Sequence, residues 1–264
     1  MQKEELQTLL FSASVSERAE RYEEMVQDVK DAIDLASKET IPLGLKGHSL
    51  FSVAYKNLAG SRRASWRVLC AEQTKYEKGS QFYRVIDEKI SVVIKELCDI
   101  CEEALGTIDA KILQMDDVKN NRESLIFFMK MKGDYYRYKA EVEEGEALNK
   151  SIESAKVAYE EAHNQAILLP PTSPVRLGLA LNFSVFHYEI LKKTDLACNM
   201  ARKSFEDAIT ELDNLSEEHY KDTTLIMQLI RDNLTLWTSQ PEHSQENIYE
   251  KPTEEINHDE GNFN

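Results

Sequence analysis

Glycine and proline are scarce, at 9 and 6 in 264 residues, and three of the prolines stand together at Pro170, Pro171 and Pro174. Long stretches free of both, rich in Glu, Lys, Ala and Leu, exclude a turn-dense β architecture and predict helix. Four cysteines (Cys70, Cys98, Cys101 and Cys198) do not make a disulfide scaffold. Cys98-Asp-Ile-Cys101 is a single pair inside a helical pattern, with no second pair at zinc spacing. Positive charge is in deficit: 32 Lys+Arg against 47 Asp+Glu leave a net −15, a poor match for a nucleic-acid backbone. No run approaches the ~20 apolar residues that span a bilayer. Met1-Gln2-Lys3-Glu4-Glu5 lacks the apolar stretch of a secretory signal. Neither an HExxH spacing, a Ser/His/Asp order nor a Gly-rich nucleotide loop is present. The expectation is a cytoplasmic protein with reduced thiols, no cofactor, no membrane insertion and no enzymatic activity.

What remains is helix, so the fold class is all-α. The pattern predicts helices near 3–14, 16–36, 48–77, 80–112, 119–142, 146–167, 174–191, 195–213 and 217–237. Pro42-Leu-Gly44-Leu-Lys-Gly47 reads as a break, and Pro170-Pro171-Thr-Ser-Pro174 ends one helix while offering Ser173 as cap and Pro174 as first position of the next. Thr194 before Asp195, and Ser216 before Glu217 and Glu218, are further start signals. With 42% apolar residues the chain can build a substantial core. Residues 238–264 differ: they hold seven acidic side chains and one Lys, with apolar residues too scattered to form a face. The expected organisation is a helical domain over 1–238 and a disordered acidic tail over 239–264.

Within this acidic chain, Lys56, Arg62, Arg63 and Arg67 crowd one stretch. On a helix Lys56, Arg63 and Arg67 share a face, where like charges repel unless something balances them. A second helical stretch puts Lys130, Asp134, Arg137 and Tyr138 on one face. Two such faces suit a multiply charged oxyanion: guanidinium forks match phosphate, a Tyr hydroxyl donates, and Asp134 can hold the guanidinia in place. Spacing alone favours the plainer reading, a solvated face with i,i+4 pairs.

Two later stretches carry asparagine inside apolar stripes. Asn182, Val185 and Glu189 fall on one face, and Leu225, Leu229, Asn233 and Leu236 on another, with Ile226 and Trp237 overlapping it. Asn has both donor and acceptor, which suits an extended peptide backbone. Ordinary core stripes, each Asn satisfied by a neighbouring helix, fit the periodicity equally well.

These residues resemble a known family. Ser52-Val-Ala-Tyr-Lys56-Asn-Leu-Ala-Gly60-Ser-Arg-Arg63-Ala-Ser-Trp66-Arg67 resembles the third-helix signature of the 14-3-3 proteins. So do Lys130-Met-Lys-Gly-Asp-Tyr-Tyr-Arg-Tyr138, Arg176-Leu-Gly-Leu-Ala-Leu-Asn182-Phe-Ser-Val-Phe186 and the stretch from Tyr220 through Asn233 to Trp237. Ala19-Glu-Arg-Tyr22-Glu-Glu-Met25 is similar to the second helix, so the likeness runs from about residue 5 to 238.

The resemblance implies nine antiparallel helices forming a cup with an amphipathic groove, usually in a two-fold dimer. It implies a phosphoserine/phosphothreonine-dependent adaptor that regulates phosphorylated client proteins by clamping or masking. Lys56, Arg63, Arg137 and Tyr138 would bind phosphate, and Asn182 and Asn233 the peptide backbone. Lys130, Glu189 and Trp237 would flank the peptide; Leu181, Val185, Leu225, Ile226, Leu229 and Leu236 would line the apolar wall. The dimer, homo- or heteromeric with chains of the same type, would involve Arg21, Glu24 and Ser65.

Two segments depart from the family pattern. The stretch 37–47 predicts a longer connection before the third helix, and 82–95 is more apolar than the charged segment that usually meets Arg21 and Glu24. Arg62-Arg63-Ala-Ser65 reads as a site for a basic-directed kinase, although a packed, unmodified Ser65 is favoured. The rival function is a phosphate-independent, helical-repeat scaffold, but no clean repeat of ~34 residues is visible.

Overall fold

The computed structural model describes residues 2–215 and 217–239, and every structural statement below concerns them; the acidic tail lies outside this range. Ten α-helices occur among the described residues, and no strand. They are α1 (Gln2–Arg18), α2 (Tyr22–Glu39), α3 (Gly44–Gln73), α4 (Gln81–Ala110), α5 (Asp116–Lys119), α6 (Arg122–Val142), α7 (Gly145–Ala166), α8 (Pro174–Val185), α9 (Thr194–Ile209) and α10 (Glu217–Ser239). A π-helical segment, Phe186–Ile190, follows α8. The all-α expectation holds, and the helix beyond the expected nine is the single turn α5.

The chain forms two compact units, one reaching Leu125 and the other beginning at Ile126. In the first, α1 packs on α2, α2 on α3, and α3 on α4. Met25, Val29 and Ile33 of α2, Phe51 and Tyr55 of α3, and Leu97 and Ile108 of α4 are closed from solvent. Each fully buried aliphatic side chain of this kind contributes roughly 1.5–3 kcal/mol.

The helix starts correct the sequence reading in places. α1 runs on to Arg18, and the chain turns at Glu20, which takes φ 55°. The expected long connection over 37–47 is largely helical, because α2 reaches Glu39 and α3 begins at Gly44. Gly44 adopts φ 75°, and its amide donates to Asp117 Oδ2 of α5 at 2.9 Å, so a distant carboxylate supplies the start signal. Ser80 caps α4 by accepting from the Tyr83 amide at 3.2 Å. Ser173 caps α8 with Pro174 in its first turn, as the sequence predicts.

In the second unit α8 packs against α7, α9 and α10. One cluster joins Ile126 of α6 to Tyr159 and Ala162 of α7 and to Leu179, Phe183 and Phe186. Another joins Leu177, Leu181 and Val185 of α8 to Ala197 and Ala201 of α9 and to Ile226, Ile230 and Trp237 of α10. α8 is apolar nearly all round because both of its sides are covered.

Candidate functional site

In the second unit the polar centre is Asp134 on α6. Its Oδ2 receives Lys130 Nζ at 2.9 Å, one turn earlier on the same helix. Its Oδ1 accepts from the Tyr159 hydroxyl at 2.5 Å and from Asn182 Nδ2 at 3.0 Å. Arg137 is fully buried: its Nε donates to the Tyr159 hydroxyl at 3.2 Å, and its Nη2 lies 3.8 Å from Asp134 Oδ1. Nη1 of Arg137 lies 3.5 Å from Glu141, and its Cζ sits 4.8 Å from the centre of the Tyr138 ring. A guanidinium taken wholly from water is tolerable only with such partners, and they fix its plane. Burial, then the Asp134 carboxylate, push the Tyr159 phenol well above its ordinary range, so it stays a proton donor to Asp134.

Asp134 was expected to hold guanidinia; the structure gives it Lys130, Arg137, Tyr159 and Asn182 together. Sequence reading missed Tyr159. The available signal was its place in an alanine stripe with Ala155 and Ala162, which allows α7 to approach α6 closely.

The asparagines bear on the two readings left open by periodicity. Asn182 is nearly buried and satisfied through Nδ2, yet its Oδ1 has no hydrogen-bond partner in the chain. Asn233 is equally buried, with its Nδ2 unpartnered, and the indole Nε1 of Trp237 is unpartnered as well. Each buried orphan costs about 1–3 kcal/mol. One acceptor and two donors left in this way match the N–H and C=O groups of an incoming main chain. Trp237 is itself held flat against Tyr188, with ring centres 4.7 Å apart and planes at 16°.

The expected apolar wall divides. Leu181, Val185 and Ile226 are closed into the core, while Leu229 and Leu236 keep part of their surface and Leu225 is 55% exposed. Periodicity cannot separate these two sets, since both follow the same stripe. Glu189 lies half-buried in the π-helical segment.

In the first unit Lys56 and Arg63 lie two turns apart on α3, Lys56 half-buried and Arg63 nearly buried. Arg62 points elsewhere, to Glu96 of α4 at 2.9 Å and Glu23 of α2 at 3.3 Å. Arg21 and Glu24 are exposed and pair with each other at the start of α2. Ser65 is exposed, which corrects the packed reading. It lines a groove of about 740 Å³ between α3 and α4 with Val68, Leu69, Val85, Glu88, Lys89, Val92 and Val93. On α1, Phe11 and Val15, one helical turn apart, are also exposed.

A family model for 14-3-3 proteins matches residues 12–238. This chain is a member of the 14-3-3 family. It is 51% identical over 243 residues to a 14-3-3 protein homolog of Encephalitozoon cuniculi, covering 92% of this chain and 94% of that one. It is 46% identical over 246 residues to the checkpoint signal transducer rad25 of Schizosaccharomyces pombe, covering 92% and 88% of the two chains. With 14-3-3 protein zeta of Bombyx mori it shares 46% over 232 residues, covering 88% and 91%. 14-3-3 proteins are adaptors rather than enzymes; they bind phosphorylated clients and form dimers. No described helix is long and apolar enough to cross a membrane.

Proposed function

We propose that this 14-3-3 chain recognises phosphoserine or phosphothreonine motifs in cytoplasmic client proteins and regulates them by clamping two phosphosites or masking one. Lys56, Arg63, Arg137 and Tyr138 act on the phosphate. Asn182 and Asn233 act on the peptide backbone, and Lys130, Glu189 and Trp237 flank it. Leu225, Leu229 and Leu236 offer apolar surface, with Leu181, Val185 and Ile226 as their support. Residues 1–238 form the recognition domain and 239–264 an acidic tail. Dimerisation uses the face that carries Arg21, Glu24 and Ser65.

The observation that carries this reading is the pair of buried asparagines, each with an unpartnered side-chain atom, Asn182 Oδ1 and Asn233 Nδ2. An ordinary core satisfies such atoms internally. Support also comes from Arg137, whose plane is fixed by Tyr159 and Glu141 in advance of any ligand. A phosphate brings about −1.5 to −2 charge and three acceptor oxygens to such a group.

Fluorescence anisotropy of a labelled Arg-Ser-x-phosphoSer-x-Pro peptide and its unphosphorylated twin tests the reading. Saturation by the phosphorylated form alone is expected, with a loss of about 2–5 kcal/mol for Arg63→Ala or Arg137→Ala. Equal binding of the twins would return the chain to a phosphate-independent scaffold.

A further inference from the structure

Directly behind Val185 the helix widens. Leu191 N donates to Phe186 O at 3.1 Å across five residues, Lys193 N donates to His187 O at 2.8 Å, and Lys192 turns the chain with φ 55°. Such a π-helical turn is a local departure from the i→i−4 ladder, held by what packs against it. Here the packing element is an imidazole. His187 is only 7% exposed; its ring lies 4.6 Å from the Phe183 ring and 5.8 Å from that of Phe186. Its Nδ1 has no hydrogen-bond partner in the chain. The next two residues are Tyr188, which holds Trp237, and Glu189.

The surroundings of this ring suit the neutral form alone. Burial, and after it the positive charge of Lys193 in the following turn, hold the imidazole below its ordinary range. Beyond Phe183 lies His163 of α7, at 6.3 Å from that ring, which itself feels Arg176 and Lys203. The face of Phe183 attracts an imidazolium but does not replace lost water or supply a hydrogen-bond acceptor. A proton therefore turns a packing ring into a poorly solvated cation.

We propose that His187 is an acid-sensitive latch beside the client groove: on taking up a proton its ring leaves Phe183 and Phe186, the π-helical turn loosens, Tyr188 loses its stacking on Trp237 and Glu189 its place in the turn, so that client peptide binds less tightly. The latch rests on the groove reading given above. It adds a chemical input, proton concentration, to the groove.

The test is the phosphopeptide titration at about pH 7.5 and pH 5.5, on the full chain and on His187→Phe, with His187→Gln as a second variant if Phe does not fold. Protonation of the peptide phosphate, with its pKa near 6, affects every protein equally and cancels in the comparison. The wild-type chain is expected to lose about three- to tenfold more affinity on acidification than the variant, up to one pK unit of coupling. At the higher pH the proteins should agree within about twofold. His163→Gln, at an exposed position, should follow the wild-type profile. Parallel profiles for wild type and His187→Phe overturn the latch. If neither protein binds phosphopeptide at the higher pH, the groove reading has failed instead. Thermal unfolding then decides the latch: a steeper fall of Tm with acid in wild type than in His187→Phe keeps its conformational step, and equal slopes remove it.

Discussion

Gly133 lies against the ring of Tyr159 so closely that a Cβ on it would fall 2.5 Å from Tyr159 Cε1 and 2.8 Å from Cγ. The missing side chain lets the backbone of α6 meet the face of a fully buried phenol on α7. From that position the phenol hydroxyl reaches Asp134 and Arg137 at once. One absent methyl group thus sets the plane of the guanidinium proposed to meet phosphate.

Gly133→Ala should therefore damage both stability and recognition. Tyr159 is enclosed by Phe183 at 5.2 Å and Phe186 at 5.5 Å between ring centres, so it has little room to retreat. Overpacking of this kind costs about 1–3 kcal/mol, although alanine's better helix propensity returns up to about 1 kcal/mol. Urea unfolding reads the stability, and phosphopeptide anisotropy reads the displacement of Arg137. Unchanged values in both would mean that α6 and α7 separate without cost.

Much of the scaffold was legible because helix periodicity and proline are local signals. Ser173-Pro174 announces α8, and the cationic spacing on α3 and α6 picks out Lys56, Arg63 and Arg137. Asp134 was legible as an anchor since it shares a face with Arg137. The misplacements have physical causes. Glu20, Thr40 and Lys192 take left-handed backbone angles without being glycine, so the ends of α1 and α2 and the turn after the π-helical segment carry no glycine mark. Gly44 begins α3 because Asp117, 73 residues away, receives its amide. Tyr159 was missed for the same reason: its meaning comes from Gly133 on another helix. Nor does an apolar stripe say which of its members remain at the surface, as Ile226 and Leu225 demonstrate.

Ser65→Glu tests the proposed dimer face. Ser65 stands beside Val68, Val85 and Val92, which are 68%, 48% and 57% exposed in the isolated chain. If a second copy covers this groove, a new carboxylate must be desolvated among aliphatic side chains and beside Glu88, which Lys89 of the same lining offsets in part. Sedimentation should shift toward monomer, while the far-ultraviolet spectrum stays helical because the residue is on the surface. A profile identical to wild type would place the dimer contact elsewhere. Phe11→Ser, from the exposed face of α1, should act in the same direction.

Alkaline titration examines the polar centre without any ligand. Tyr55, Tyr159 and Tyr188 have phenols raised above the ordinary value by burial, reinforced for Tyr55 by Glu103 and for Tyr159 by Asp134. For an acid whose folded value is raised, the stabilising contribution is complete below the unfolded value, near 10 for Tyr. It is lost as pH rises from there toward the folded value, because the unfolded chain releases those protons first. These three phenols should therefore ionise late, as a separate upper stage of the tyrosinate absorbance that accompanies the loss of helical signal. Tyr159→Phe removes one phenol from the late stage and leaves Arg137 Nε without its partner, so the protein should also unfold at lower urea by about 1–3 kcal/mol. A single smooth tyrosinate curve that ends before the helices melt would show that water reaches Tyr159, and that Asp134 and Arg137 are held by something else.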